Sequence, residues 1–392
     1  MAKRYGIVVR VASGSVGILG VDIDDAHVEA SATAILAEVE TALRAVVSTG
    51  DPLISQVALH GMEAGGKRFR PMLVALAAQF GAAARMPYAG AADAVVRAAA
   101  LPSVIAMPGT AAAPTQLGLP PATELASGTP ASVVAAAVVV ELTHLATLYH
   151  DDVMDEADVR RGAPSANSRW TNSIAILVGD YLFARAASIA ATLGPEAVRI
   201  QAATFARLVR GQIAETVGAR PGEDAVTHYL HVVAEKTGSL IATSARFGGM
   251  FSGASPAESA ALAAYAETVG IAFQLSDDLL DITSEAAQSG KTPGTDLREG
   301  VPTLPVLYAL ASDDADADAV RLREILARGA VTDDAEHTEA LALLRQSAAM
   351  KQARETVRTY AERARAQLVA LPEGTARQAL ESVCDLIADR TG

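Results

Sequence analysis

Two aspartate clusters in this chain share one design, Asp151-Asp152-Val153-Met154-Asp155 and Asp277-Asp278-Leu279-Leu280-Asp281. Each reads D-D-x-x-D inside an apolar, helix-like run. On an α-helix, positions i and i+4 lie on one face, about 6 Å apart. Asp151 therefore projects with Asp155, and Asp277 with Asp281. Like charges at that spacing repel, and carboxylates beside buried residues are costly to desolvate. Cations held between them offset that cost. All-oxygen clusters of this kind suit Mg²⁺, which keeps several waters and takes its other ligands from carboxylates and substrate phosphates. The pattern points to a helical site that grips a diphosphate through Mg²⁺.

Several cationic and polar residues have spacings that fit the same chemistry. In Gly65-Gly66-Lys67-Arg68-Phe69-Arg70-Pro71, two glycines permit a tight turn and three cations follow at a helix start, where backbone N–H groups favour an anion. The plainer reading is a solvated basic turn. Arg160 and Arg161 follow Asp155 closely, and as neighbours they can reach two different anions; guanidinium forks suit phosphate oxygens. A lone arginine pair more often decorates a helix C-terminus. Lys236-Thr237-Gly238 lies in a long apolar helix among small residues, which lets an inward lysine face an anion. Gln274, three residues before Asp277, offers a neutral dipole, and His144 shares a helix face with Asp151. Taken singly, a buried satisfied amide and a core histidine explain these two as well. Two acidic clusters, a Gly-Gly-Lys-Arg turn and an arginine pair in one chain are far more specific.

The elements that must carry these residues read as helices. The sequence has 51% hydrophobic residues but only 4% aromatics and few β-branched runs, which favours helix over sheet. Residues 1–30 read as an N-terminal tail, and residues 31–392 as one large all-α domain. Helical periodicity runs over 31–48, from Pro52 after the N-cap Asp51, over 69–80, and over 131–157 into the first acidic cluster. Further helices are expected over 171–193, 196–218, 226–251, 256–281, 304–312, 317–327, 334–347, 350–371 and 375–390. Residues 81–130, rich in Pro and Ala, read as a long surface loop.

A net charge of −13 argues against nucleic-acid binding, which needs a basic face. The single cysteine, Cys384, rules out an intrachain disulfide and fits a reducing compartment. No uninterrupted apolar run is expected to reach transmembrane length, and Arg10, Gly14, Gly17 and Gly20 interrupt anything resembling a signal peptide. A cytoplasmic protein is expected, with peripheral membrane contact through its product.

GGKRFRP, ELTHLATLYHDDVMDEADVRRG, GDYLFARA, KTGSL, FQLSDDLLD and GKTPGTDLREGVPTLP together resemble the signature blocks of the trans-isoprenyl diphosphate synthases, or polyprenyl synthetases, in that family's order. The resemblance implies a single large helical bundle of the isoprenoid-synthase type with a central hydrophobic cavity. It also implies a Mg²⁺-dependent, head-to-tail 1′-4 condensation of isopentenyl diphosphate with an allylic diphosphate, using three Mg²⁺ ions per site. By position, Asp151 and Asp155, with Asp152 in support, would hold Mg²⁺ on the allylic diphosphate. Asp277, Asp278 and Asp281 would hold the remaining Mg²⁺. Lys67, Arg70, His144 and Arg161 match positions for isopentenyl diphosphate, and Arg160, Lys236 and Lys291 match positions for the allylic diphosphate. Thr237 and Gln274 match polar groups near the reacting carbocation.

Family members are usually homodimers, which is the expectation here. Gly300-Val301-Pro302 replaces a block where many members carry a lysine, and the loop at 81–130 is roughly forty residues longer than usual. Small residues at Ala146, Thr147 and Ala187, where shorter-chain members carry bulky ones, imply a deep product tunnel and a product of C30 or longer, with C20 as the alternative. A class I terpene cyclase is disfavoured by the full second D-D-x-x-D and the Lys67 block. A regulatory subunit of a heteromeric synthase is disfavoured because both motifs are intact.

Overall fold

A computed structural model describes residues 17–18, 21–22, 25–48, 51–65, 68–98, 125–160, 162–283 and 293–390. Lys67, Arg161 and Lys291 lie outside the described residues. The described chain is helical apart from two short antiparallel hairpins. These are β1 (Gly17–Ile18) with β2 (Val21–Asp22), and β3 (Val159–Arg160) with β4 (Ala163–Pro164). The chain divides into two compact units.

One unit comprises residues 25–203 and 243–259. It contains α1 (Ala26–Val47), α2 (Pro52–Glu63), α3 (Phe69–Ala77), α4 (Ala91–Ala98), α5 (Pro130–Met154), α6 (Ala166–Arg169) and α7 (Asn172–Thr192). Local chemistry explains the helix starts. Asp51 accepts from the N–H groups of Leu53 and Ile54, with Pro52 in the first turn as expected. Thr129 and Ser132 form a capping box at α5. α1 begins at Ala26 rather than near residue 31, because Asp25 caps it and Val28 already buries its side chain. The N-terminal tail therefore ends sooner than expected.

α5 is the core of this unit, packed against α1, α3, α4 and most extensively α7. Gly179 on α7 shows why the two helices approach so closely. A Cβ there would sit 2.4 Å from His150 Nε2 on α5. α5 and α7 are both long and apolar enough to cross a membrane, which corrects the expectation that no segment is. For α5 the reason is burial, with 78% of its most apolar window buried in the protein. α7 keeps an open face that includes Ile176 and Leu177, 41% and 62% exposed.

Residues 82–98 also depart from the expected loop. A 3₁₀ turn (Ala82–Arg85) leads to α4, whose Val95 is fully buried against its neighbours. Tyr88 is buried as well, and desolvation pushes its phenol up to about 12. Glu38 on α1 accepts from the N–H groups of Gly90 and Ala92. The short apolar spacing of α4 is masked in sequence by surrounding alanines.

The other unit comprises residues 204–242 and 260–392 together with the β1–β2 hairpin. Within it, α9 (Ala225–Val233) passes without a break into a π-helical turn, Ala234–Gly238. Then come α12 (Thr295–Glu299), α13 (Leu304–Ala311), α14 (Ala317–Leu326), α15 (Asp334–Gln346), α16 (Ala348–Gln367) and α17 (Thr375–Asp389). Three helices run through both units in sequence: α8 (Pro195–Val217), α10 (Ser239–Ser252) and α11 (Pro256–Thr283). α13 packs on α16, and α16 on α17. Tyr265 of α11 is fully buried and donates to Leu380 O.

Candidate active site

The first acidic cluster closes α5. Asp151 and Asp152 are in its last turn, and Asp155 is the C-cap residue. Asp152 is buried, and Arg160 Nε lies 2.5 Å from its Oδ1. Asp155 is half exposed, with Arg160 Nη2 4.0 Å away. The hairpin β3–β4 thus folds back and sets Arg160 beside the cluster that precedes it. His144 and Thr147 sit half-buried on α5, and Thr147 Oγ1 donates to His144 O. Arg70 is half-buried in the first turn of α3.

Arg68, read from the sequence as part of a phosphate grip, has a different role. It adopts a left-handed conformation at φ 47°, costly for a residue with a Cβ. Its guanidinium bonds Glu40 (3.1 Å) and the buried Glu141 (2.8 Å), and donates to Met62 O. Burial opposes its charge, but Glu141 and Glu40 outweigh that effect and its pKa is raised. Arg68 is therefore a structural rivet.

The second acidic cluster lies near the end of α11, with a similar division. Asp278 is buried and accepts from Tyr229 Oη and from Gln274 Nε2 at 2.9 Å. Burial pushes its carboxyl up to about 7; the two donors oppose this, and the charges of Asp277 and Asp281 add to it. Gln274 Oε1 in turn accepts from Thr237 Oγ1 at 3.1 Å. Thr237, Gln274, Asp278 and Tyr229 therefore form one network. Asp277 is more open but paired with Arg390 Nη2 at 2.6 Å. Asp281 accepts from the N–H of Asp296 at 3.2 Å.

In both motifs the middle aspartate is turned inward onto protein partners. Asp152 and Asp278 are thus anchored by protein partners; the sequence reading put Asp152 in support of the metal ligands and Asp278 among them. The outer carboxylates remain on the more open side. Among the described residues, no three His, Cys, Asp or Glu side chains close around one point. These oxygen donors fit Mg²⁺, which shares its coordination with water and phosphate and rarely sits in an all-protein cage.

Lys236 emerges from the π turn, a feature that often marks functional positions. It does not join the Thr237–Gln274 network; its Nζ pairs with Glu215 at 2.5 Å. Ala146 is fully buried, while Ala187 lies on the exposed face of α7. Its neighbours Ala186 and Ala190 are the buried ones. The sequence reading missed Tyr229 and Arg390. No local pattern distinguishes them, because each reaches its aspartate across a long stretch of chain.

An all-helical fold with two aspartate-rich helix ends and cationic side chains beside them defines a protein of the isoprenoid-synthase class. The polyprenyl synthetase family model matches residues 116–344. A nonaprenyl diphosphate synthase of Mycobacterium tuberculosis is 45% identical, over 96% of this chain and 98% of its own length. Among solved structures, a geranylgeranyl pyrophosphate synthase from Corynebacterium glutamicum, complexed with calcium and isoprenyl diphosphate, is 39% identical with a TM-score of 0.74. That match covers 95% of this chain and 100% of the other. A decaprenyl diphosphate synthase from Rhodobacter capsulatus is 30% identical with a TM-score of 0.71, covering 93% and 98%. The chain belongs to the polyprenyl synthetase family and is a prenyltransferase.

Proposed function

We propose that this enzyme condenses isopentenyl diphosphate with an allylic diphosphate, head to tail, to an all-trans polyprenyl diphosphate of C30 or longer. The observation that carries the reading is the pair of D-D-x-x-D helix ends, each with its middle carboxylate anchored and its outer ones more open. Asp151, Asp155, Asp277 and Asp281 hold Mg²⁺ with the allylic diphosphate, three ions per site. Bound there, Mg²⁺ neutralises the leaving diphosphate and so eases its departure. Arg160, Lys236 and Lys291 add positive charge around the allylic diphosphate. Lys67, Arg70, His144 and Arg161 bind isopentenyl diphosphate. Thr237 and Gln274 present oxygen dipoles toward the developing allylic cation. The isopentenyl double bond attacks that cation, and the released diphosphate takes the proton. No covalent enzyme intermediate forms, so catalysis is positioning plus electrostatics.

The long product is supported by the small buried Ala146 on α5 and by the nonaprenyl relative. A C20 product is the second reading, favoured by the geranylgeranyl synthase neighbour. Incubation with farnesyl diphosphate and isopentenyl diphosphate, then chromatography of the dephosphorylated products, decides between them. Wild type is expected to pass C20, and Ala146→Phe to shorten the product; a wild type that stops at C15 or C20 refutes the long-chain reading. We also propose a cytoplasmic homodimer that touches the membrane through its product. An exposed apolar stripe along one face of α8, Val198, Phe205, Val209, Ile213 and Val217, supports the dimer.

A further inference from the structure

The β3–β4 hairpin that presents Arg160 pairs only two residues per strand. A two-stranded ribbon this short does not hold its own shape in water. Its position is set from outside, and the contacts trace a closed ring. On α5, Tyr149 accepts from the N–H of Gly61 on α2 at 3.0 Å. The preceding residue, His60, bonds Pro164 O on β4 through Nε2 at 2.7 Å. β4 pairs with β3, where Arg160 reaches back to Asp152, three residues after Tyr149 on α5. His60, Gly61, Tyr149, Asp152, Arg160 and Pro164 line one small cavity.

His60 is also held from its other side. Arg169 Nη1 lies 3.1 Å from His60 Nδ1, and Arg169 can only donate. Nδ1 is therefore the acceptor, and Nε2 carries the hydrogen that Pro164 O receives. One neutral tautomer satisfies both contacts. Trp170, the sole tryptophan, packs edge-on to the imidazole at 5.1 Å and lies under the Arg169 guanidinium at 4.7 Å. Gly61 lets this happen: a Cβ there would meet Tyr149 Oη at 2.4 Å.

We propose that His60 is a positioning residue for diphosphate binding, fixing through Pro164 the hairpin that presents Arg160. This rests on the reading of Arg160 as a diphosphate ligand. The test is a double-variant cycle on full-length protein, with calorimetric binding of inorganic diphosphate in the presence of Mg²⁺. Arg160→Ala and His60→Ala are each expected to weaken binding about tenfold, since a misplaced binding group loses much of its benefit. The double variant should be no weaker than Arg160→Ala alone, because His60 acts through that arginine. His60→Gln, which keeps a donor for Pro164 O and an acceptor for Arg169, should bind within about twofold of wild type. Should His60→Ala unfold by circular dichroism, Arg169→Leu on the outer side of the imidazole gives the same readout, with an expected loss of about threefold.

Weakened binding in Arg160→Ala with wild-type binding in His60→Ala overturns the positioning role alone. Fully additive losses overturn it too, because they give His60 a separate effect. Wild-type binding in Arg160→Ala overturns the parent reading and the proposal with it.

Discussion

At the residue scale, each acidic motif combines two different jobs. Asp152 and Asp278 face inward and are satisfied by Arg160 and by Tyr229 with Gln274, while Asp151, Asp155, Asp277 and Asp281 remain less enclosed. Asp151→Ala, Asp155→Ala and Asp277→Ala should each reduce turnover by orders of magnitude with the helical circular dichroism unchanged, because each removes charge stabilisation of the leaving group. Near-normal turnover with Mg²⁺ in any of these would count against the metal assignment. Arg68 and Glu141 give a contrasting case. Glu141→Ala should cost about 3 kcal/mol in chemical denaturation, because it leaves the Arg68 charge half-compensated in a buried place. Its effect should fall on stability rather than on the KM for either substrate.

At the element scale, the π turn Ala234–Gly238 is held by ion pairs. Glu235, buried, takes Arg207 at 2.6 Å and Arg210 at 2.9 Å, and Arg207 also reaches Glu267. Burial alone would raise the Glu235 carboxyl, but the two arginines outweigh it and its pKa is lowered. A depressed carboxyl stabilises the fold above its unfolded value and loses that contribution as pH falls through its folded value. Acid unfolding should therefore weaken in pH dependence in Glu235→Gln, with lower stability at neutral pH; an unchanged slope below pH 4.5 would show that the cluster carries no linkage. α4 is the second test at this scale. Val95→Asp should lower stability by about 3 kcal/mol, since it places an unpaired charge between packed helices. Residues 81–130, expected from sequence to be a surface loop, include this helix, and deletion of residues 82–98 should give unstable protein.

At the scale of the whole molecule, α8 presents apolar side chains that are exposed among the described residues, from Val198 through Ile213, 57% exposed, to Val217, 71% exposed. Exposed stripes of this kind are costly in water and call for a partner surface. Paired Val209→Glu and Ile213→Glu changes should convert a dimer to a monomer in light scattering, with helicity retained. A wild type that is monomeric and fully active would remove the case for self-association.

Most long helices stand within a few residues of where periodicity and caps placed them, because both signals are local: a 3.6-residue repeat of apolar side chains, and an Asp or Thr within hydrogen-bond reach of the next turn. The placement of the two motifs on helices was legible for the same reason, and i and i+4 spacing brings their outer carboxylates to one face. α4 was hidden by low-contrast composition, where alanine reads alike in a core and in a loop. Which charge meets which could not be read locally. Arg68 and Glu141 stand 73 residues apart, His60 and Pro164 104, Arg390 and Asp277 113. Within one basic run, Arg68 became a rivet while Arg70 took a separate place in the first turn of α3, and within each D-D-x-x-D one carboxylate turned inward. Sequence spacing sets which side chains share a helix face; packing decides which of them are buried against protein partners and which remain more exposed.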